Sequence, residues 1–398
     1  MILAMQPSPV IPRSIWMLGF VSLFMDISSE LIHSLLPVFM VTSLGASVLA
    51  IGVIEGIAES TALIVKVFSG AISDYLGKRK SLAVIGYGLG ALSKPLFALA
   101  LSVNWVLAAR FMDRIGKGIR GAPRDALVAD LTPPEIRGAA YGLRQSLDTV
   151  GAFAGPLLGV LLMLLWAGDF RTVFWYAAIP AVIAVLLLVF GVEEPRAGSI
   201  QRRPASPIQW KTLSELGRAY WFVVLAGGVF TLARFSEAFL ILRAQQQGLP
   251  DTYAPLVMVV MNVVYALVAY PMGRLADRVS HMTLLGTGLV ALIVADLVLA
   301  QAQGLAAVAL GVVFWGLHMG MTQGLLAAMV ADTAPAHLRG TAFGFFSLAS
   351  GIAMLIASIL AGLLWDTLGW AVTFYAGAVF SMTALIMLVL GTRRPSAA

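Results

Sequence analysis

The sequence predicts an all-α membrane protein with twelve transmembrane helices in two six-helix repeats, and three observations carry that prediction. The 398 residues are 60% hydrophobic and 12% charged, with a mean hydropathy of +0.91, whereas about a quarter of the residues in a soluble protein are charged. Apolar runs of about 18 residues or more, each enough to cross ~30 Å of hydrocarbon as a helix, recur twelve times between Ser14 and Leu390. Their continuity excludes a barrel, whose strands alternate over roughly 10 residues. The third observation is a repeat. "VADLTPPEIRGAAYGL" (128–143) matches "VADTAPAHLRGTAFGF" (330–345), and "GAISDYLGKRK" (70–80) has a weaker echo in "GRLADRVSHMT" (273–283). Parallel repeats of this kind belong to transporters that hold their site between the halves.

In order, the spans run over 14–42, 46–68, 81–103, 105–129, 138–165, 172–192, 219–243, 252–273, 282–301, 305–330, 340–365 and 370–391. The one long polar connection, "EEPRAGSIQRRPASPIQWK", divides the chain into an N-terminal bundle (1–192), a linker (193–218) and a C-terminal bundle (219–398). The net charge of +6 and pI near 9.7 do not indicate nucleic acid, because the basic residues are sorted by side. Arg13, Lys78, Arg79, Lys80, Arg137, Arg196, Arg202, Arg203, Lys211, Arg274, Arg278, Arg339, Arg393 and Arg394 all fall in alternate connections, against Arg171 and Arg243 near span ends in the other set. Positive residues mark the cytoplasmic side, which puts both termini and the linker in the cytoplasm of a cell (inner) membrane protein. Only Arg13 precedes the first span and no cleavage site follows a short apolar core, so the N-terminus is expected to be retained. With no cysteine, disulfides and thiolate metal sites are ruled out. No cofactor and no metal site is expected.

The charges inside the spans define the candidate site. In span one Asp26, Glu30, His33 and Pro37 share an arc of about 60°, and in span two Glu55, Glu59 and Lys66 share about 40°. Span three has only Lys94 in its interior. Span four holds seven charges in sixteen residues, "RFMDRIGKGIRGAPRD" (110–125), and Arg110, Asp113, Arg114, Lys117, Arg120, Arg124 and Asp125 fall within an arc of about 140°. A charge facing lipid at mid-membrane costs at least about 2.5 kcal/mol, so this stripe must face protein or a water-filled cavity. The aligned stretch of span ten, "VVFWGLHMGMTQGLLA", keeps only His318, Thr322 and Gln323 as polar groups. In span five Arg144 and Asp148 continue the face of Gly151, Gly155 and Gly159, whereas span six has only Arg171 at its outer end and span twelve has no charge. Arg234 and Glu237 in span seven and Asn262 in span eight complete the candidate cavity residues. This distribution suits a cavity lined by spans one, two, four and five, with three and six outside. Two simpler readings of the stripe stand beside a functional one. Gly116, Gly118 and Gly121 spell the dinucleotide fingerprint GxGxxG, but no strand precedes them. The charges also suit structural ion pairs, with Asp113 and Lys117 at i,i+4 spacing.

On these features the chain resembles the major facilitator superfamily, over nearly its whole length. "GAISDYLGKRK" matches that family's loop signature between spans two and three, with Gly70, Asp74, Gly77, Lys78 and Arg79 in place. The second copy, which carries Asp277, has Ser280 where Gly77 has its counterpart. The resemblance implies that Asp74 gates the cytoplasmic side, and that Asp130 with Arg137, and Asp332 with Arg339, are companion pairs. "GAFAGPLLG" (151–159) resembles the fifth-span motif of the proton-coupled antiporters, GxxxGPxxGG, departing at Val160. Glycines at four-residue spacing let helices approach closely, and Pro156 bends the helix. "GIAMLIASI" (351–359), the aligned segment, keeps one glycine of three, so the motif belongs to one half and favours export. Asp26 upstream of Pro37 is similar to the first-span Asp and Pro of drug/proton antiporters, at a longer spacing.

A carboxyl group in a low-dielectric cavity tends toward its neutral form and can exchange a proton. Asp26 and Glu30 are therefore the leading proton carriers, with Glu55, Glu59 and Asp113 behind them; a permanent salt bridge from Asp26 to Arg114 or Lys117 is the competing reading. The leading function is export of a small solute by proton antiport, by a monomer in the lipid bilayer. The alternatives are proton-coupled uptake of an anionic solute, suggested by the bases of span four, and a non-transporting receptor on the same fold. No GxxxxGK[ST] occurs, so an ATP-driven pump is not expected, and enzymatic chemistry is not expected either.

Overall fold

The structure is a computed structural model that describes residues 11–194, 210–276, 278–322, 324–335 and 338–392. The first six spans are α1 (Arg13–Leu44), α2 (Val48–Leu76), α3 (Arg79–Ala98), α4 (Val103–Asp130), α5 (Arg137–Leu165) and α6 (Phe170–Gly191). In the second half come α7 (Arg218–Ala233), α8 (Ala238–Gln246), α9 (Leu256–Ala276), α10 (His281–Gln301), α11 (Leu305–Thr322), α12 (Leu325–Thr333), α13 (Arg339–Leu368) and α14 (Trp370–Thr392). Among the described residues there is no strand. Eleven segments of the described residues are long and apolar enough to cross a membrane. The twelfth span, α4, fails that test only because of its charges, as the stripe requires.

Two spans differ from the expected single helices. Span seven is broken over residues 234–237 into α7 and α8, and span ten is broken between α11 and α12, where Gly324 takes a left-handed φ of +76°. Hydropathy does not register such breaks, because the runs stay apolar across them. Irregular backbone is tolerated at membrane depth where protein satisfies its polar groups. At the first break the Arg234 amide donates to the Thr231 carbonyl at 3.1 Å, and the Ala238 amide donates to Ser236 Oγ at 3.2 Å.

The loop signature has a local cause. Gly77 ends α2 in a left-handed conformation at φ +64°, its amide returning to the Ser73 carbonyl at 3.0 Å, a conformation glycine adopts without penalty. Its counterpart Ser280 is extended and caps α10 instead, its hydroxyl accepting from the Thr283 amide at 3.2 Å.

Within the first half α1 packs on α5 and α6, and α4 on α2 and α3, which leaves α3 and α6 at the periphery. The glycines of the apparent dinucleotide fingerprint are packing devices. A Cβ on Gly116 would lie 2.6 Å from the Gly86 carbonyl of α3, and one on Gly118 would lie 3.0 Å from the Ala62 carbonyl of α2. The halves meet chiefly through α2 against α13 and α5 against α9. Call the side bearing the α6–α7 linker the linker face and the other the far face. The hydrogen bonds and close glycine approaches that join the halves among the described residues lie in the far-face half or at mid-membrane: Val48 and Leu49 to Asp366, Glu55 to Ser236, Asn262 to Ala152, Gly159 against Pro255, Gly351 against Ser60. Toward the linker face, Lys66, Ile72, Tyr75, Tyr141, Gln145 and Ser146 on α2 and α5 are exposed or half-exposed. The molecule is closed at the far face and open at the linker face.

Candidate functional site

The charged stripe of α4 sits at mid-membrane, with Lys117 ~20 Å from either end of its helix at 1.5 Å per residue. Its charges are sorted among three neighbours. Toward α2, Arg110 grips Glu55 with two hydrogen bonds of 3.1 and 2.8 Å, and both side chains are sealed, at 2% and 0% exposure. One turn along, Arg114 pairs with Glu59 at 3.1 Å. Toward α3, Asp113 takes Lys94 at 2.7 Å, and Lys94 also donates to Ser29 of α1 at 3.1 Å. The pairing of Asp113 with Lys117 suggested by their spacing is not made; Lys94, approaching from another helix, has the shorter path. Arg120 stacks on the Tyr87 ring at 4.8 Å. Nearer the linker face, Arg124 lies 3.2 Å from Asp125 and 3.7 Å from Asp148, while Arg144 reaches Asp148 at 3.6 Å.

On α1, Glu30 is paired with His33 at 3.4 Å, and His33 reaches Glu55 through its other nitrogen, also at 3.4 Å. Asp26 differs from all of these: among the described residues it forms no ion pair, and its side chain meets the Asp148 carboxyl of α5. The permanent bridge to Arg114 or Lys117 is absent, since Arg114 is held by Glu59. Lys117, exposed in the cavity, likewise has no carboxylate within salt-bridge distance among the described residues, although Asp26, Glu30, Glu59 and Asp148 surround it at longer range.

The glycine motif of α5 decides how close α1 comes. A Cβ on Gly151 would lie 2.7 Å from the Leu23 carbonyl and 2.9 Å from Asp26 Cβ, and one on Gly155 would lie 2.7 Å from the Ile27 carbonyl and 3.0 Å from Glu30 Cβ. Both leading carboxylates are therefore seated on motif glycines. Gly159 faces Pro255 of the second half at 3.5 Å, and Pro156 lies inside the helix between them.

The second half contributes less than its polar residues suggested. Arg234 and Glu237 flank the break in span seven, half-buried, with Tyr265 within electrostatic range of Arg234. Asn262 donates across the halves to the Ala152 carbonyl at 3.0 Å, a bond that joins the two halves. His318 is fully buried, bonded to the Gly288 carbonyl at 2.9 Å and packed on Phe230. Gln323 and Asp277 lie outside the described residues.

At the linker face Arg79 bridges Asp74 (3.5 Å) and Asp130 (2.7 Å), closing the loop signature within its own half. The expected pairings differ in detail. Arg137 bonds the Thr132 carbonyl at 3.4 Å and leaves Asp130 to Arg79, and Asp332 meets His281 at 3.4 Å, not Arg339. Each acid at the end of a span thus reaches the first residue of the helix after the loop signature, which sequence adjacency does not reveal. Gly70 packs against Ala122, and Lys78 precedes α3.

Four residues of interest were not picked out from sequence. Ser236 crosses from the break to Glu55 at 3.4 Å, Tyr265 of α9 lies within the field of Asp148 in the first half, Asp366 caps α2 from α13, and Asp296 is fully buried with neither oxygen hydrogen-bonded. The last was visible as a lone acid in an apolar span. The other three are ordinary polar residues whose partners lie far away in sequence.

A family model described as Major Facilitator Superfamily matches residues 18–261 and 236–398. An uncharacterized MFS-type transporter of Methanocaldococcus jannaschii is 30% identical over 386 residues, covering 95% of this chain and 94% of that one. Multidrug resistance protein MdtH of Edwardsiella ictaluri is 33% identical over 154 residues, 38% of this chain and 37% of its own. Among solved structures, a bacterial homolog of the human lysosomal transporter Spinster, in an inward-facing and occupied conformation, aligns with a TM-score of 0.78 at 17% identity, covering 98% of this chain and 100% of that one. A POT family transporter in complex with 5-aminolevulinic acid aligns with 0.80 at 14% identity, covering 96% of each. At these identities the structural likeness concerns the fold.

Proposed function

The chain belongs to the major facilitator superfamily, and from that premise we propose that it exports a small solute by proton antiport, its two halves alternating access to the charged cavity. The linker face is the cytoplasmic one on the distribution of basic residues, with both termini on that side of the inner membrane and the monomer as the working unit. The conformation described here is then the one that loads from the cytoplasm.

One observation carries the coupling assignment. Glu55, Glu59, Asp113, Asp125 and Asp148 each have a base within 4 Å, and Glu30 has His33, whereas Asp26 has none among the described residues. A carboxylate locked to a base need not change charge during a cycle; a free one at mid-membrane can bind and release a proton. Its seat on Gly151 supports the antiport direction, and so does the partial likeness to the multidrug resistance protein. The test uses everted membrane vesicles, in which an exported solute dissipates an imposed pH gradient. Asp26→Asn is expected to abolish gradient-driven accumulation while keeping substrate binding, with Glu30→Gln the next most severe. Gradient-driven export surviving in both single variants and in the double variant would rule out this pair as carriers.

Proton-coupled uptake of an anionic solute is the second reading, and Lys117 favours it. An exposed ammonium at mid-membrane with no salt-bridged carboxylate is a place for a substrate anion. The two readings separate by sign: a proton competes with an exported substrate, so acidification weakens binding, whereas it strengthens binding of an anion carried with the proton.

A further inference from the structure

The far-face closure between α2 and α13 contains a charge placed where its own helix disfavours it. Asp366 lies in the last turn of α13, two residues from the end at Leu368. Backbone carbonyls already make that end of a helix negative, so a carboxylate there is unfavourable within its own half. The structure places it instead on the N-terminus of α2, which belongs to the other half. The Val48 amide donates to Asp366 Oδ1 at 3.2 Å and the Leu49 amide to Oδ2 at 2.8 Å, while the Ala50 amide is taken by the Ser47 hydroxyl at 3.1 Å. The three free amides of the first turn are thus divided, one capped locally and two by a residue more than 300 positions away.

The approach is made possible by glycines on both helices. A Cβ on Gly362, one turn before Asp366, would lie 2.8 Å from both Leu49 Cα and the Val48 carbonyl oxygen, and one on Gly56 would lie 3.0 Å from the Leu355 carbonyl; Gly52 meets the Ser358 carbonyl more closely still. No base is salt-bridged to Asp366 among the described residues, so the helix terminus is the partner it has.

We propose that Asp366 is the far-face latch of the transport cycle: a carboxylate that caps α2 only while the far face is closed, and that must leave the α2 terminus for water each time the face opens. The latch biases the resting equilibrium toward the linker-open state. It depends on alternating access of the two halves and on neither the proton nor the direction of transport, so it stands or falls separately from the antiport reading. Charge-assisted hydrogen bonds to a helix terminus are partly offset by hydration of the released carboxylate. The expected bias is therefore about tenfold in the open-to-closed ratio of the far face.

The chain has no cysteine, so the test needs no background removal. Nitroxide labels at Ser43→Cys and Gln303→Cys, exposed at the far face of the first and second halves, report the opening as a distance distribution in detergent or nanodiscs. Asp366→Asn keeps the shape of the side chain and removes its charge; it is expected to raise the long-distance fraction relative to the short by about tenfold. Gly362→Ala, which pushes the α2 terminus away without touching the carboxylate, is expected to do the same and covers the case in which Asp366→Asn folds poorly. Asp251→Asn, which removes a far-face acid whose partner Gln245 is in its own half, should leave the distribution unchanged. An unaltered distribution in Asp366→Asn, or an equal shift in Asp251→Asn, overturns the latch.

Discussion

Replacing Glu55 by Gln separates a locked ion pair from a proton carrier. The two hydrogen bonds to Arg110, at 3.1 and 2.8 Å, join side chains that are 0% and 2% exposed. Two unit charges about 4 Å apart attract by about 4 kcal/mol at an effective dielectric constant near 20. Removing one partner of a buried pair costs about 3–5 kcal/mol, because the other is left buried and uncompensated. The glutamine also disturbs the contacts that Glu55 receives from His33 and Ser236, each at 3.4 Å. A loss of about 4 kcal/mol at about 2 °C per kcal/mol lowers the thermal midpoint by roughly 8 °C. Asp26→Asn removes no ion pair and is expected to stay within about 1 kcal/mol of the parent. The assay is thermal unfolding of the purified protein in detergent, followed by tryptophan fluorescence and by loss of the monodisperse size-exclusion peak. A double variant, Glu55→Leu with Arg110→Met, should recover much of the loss, since matched apolar residues replace a buried pair at little cost. If Glu55→Gln melts with the parent while Asp26→Asn collapses, the assignment of which carboxylate is locked is reversed.

Gly151→Ala places a Cβ 2.7 Å from the Leu23 carbonyl and 2.9 Å from Asp26 Cβ, an overpacking worth about 1–3 kcal/mol; transport should fall well below that of Gly142→Ala, whose Cβ meets nothing within 4 Å, and equal transport rates would remove the seat from the mechanism. Lys117→Ala should be far more damaging to transport than Lys211→Ala, because Lys117 belongs to the charged stripe of α4 whereas Lys211 belongs to the linker sequence; a parent-like rate in Lys117→Ala would show that the exposed ammonium has no function.

The ion pairing within the first half explains why its charge balance says little about substrate. Acids and bases there are nearly equal in number, yet the structure commits most of them to one another and leaves Asp26, Lys117 and Arg120 with no opposite charge within salt-bridge distance among the described residues. Which acids were committed was not legible in the sequence. Asp113 and Lys117 had the helical spacing of a pair, but an exposed lysine on the same helix competes poorly with a buried Lys94 supplied by α3. For the same reason Arg79 displaced Arg137 as the partner of Asp130.

The sequence by itself determined the membrane class, the repeat, the face on which the α4 charges lie and the glycine face of α5. Each follows from a local rule: the length of an apolar run, the 100° step of a helix, the cost of a charge in lipid, the smallness of glycine. Only the tertiary structure decided which acid of the α4 cluster stands with no base beside it, where spans seven and ten break, which side of the molecule is closed, and that Asp366 caps a helix in the other half. Ion pairs and caps at this depth form between helices distant in sequence, and their energies depend so strongly on separation and on the local dielectric that a shift of one helical turn changes the partner. Periodicity shows the face a residue occupies; the packing of neighbouring helices determines what it meets there.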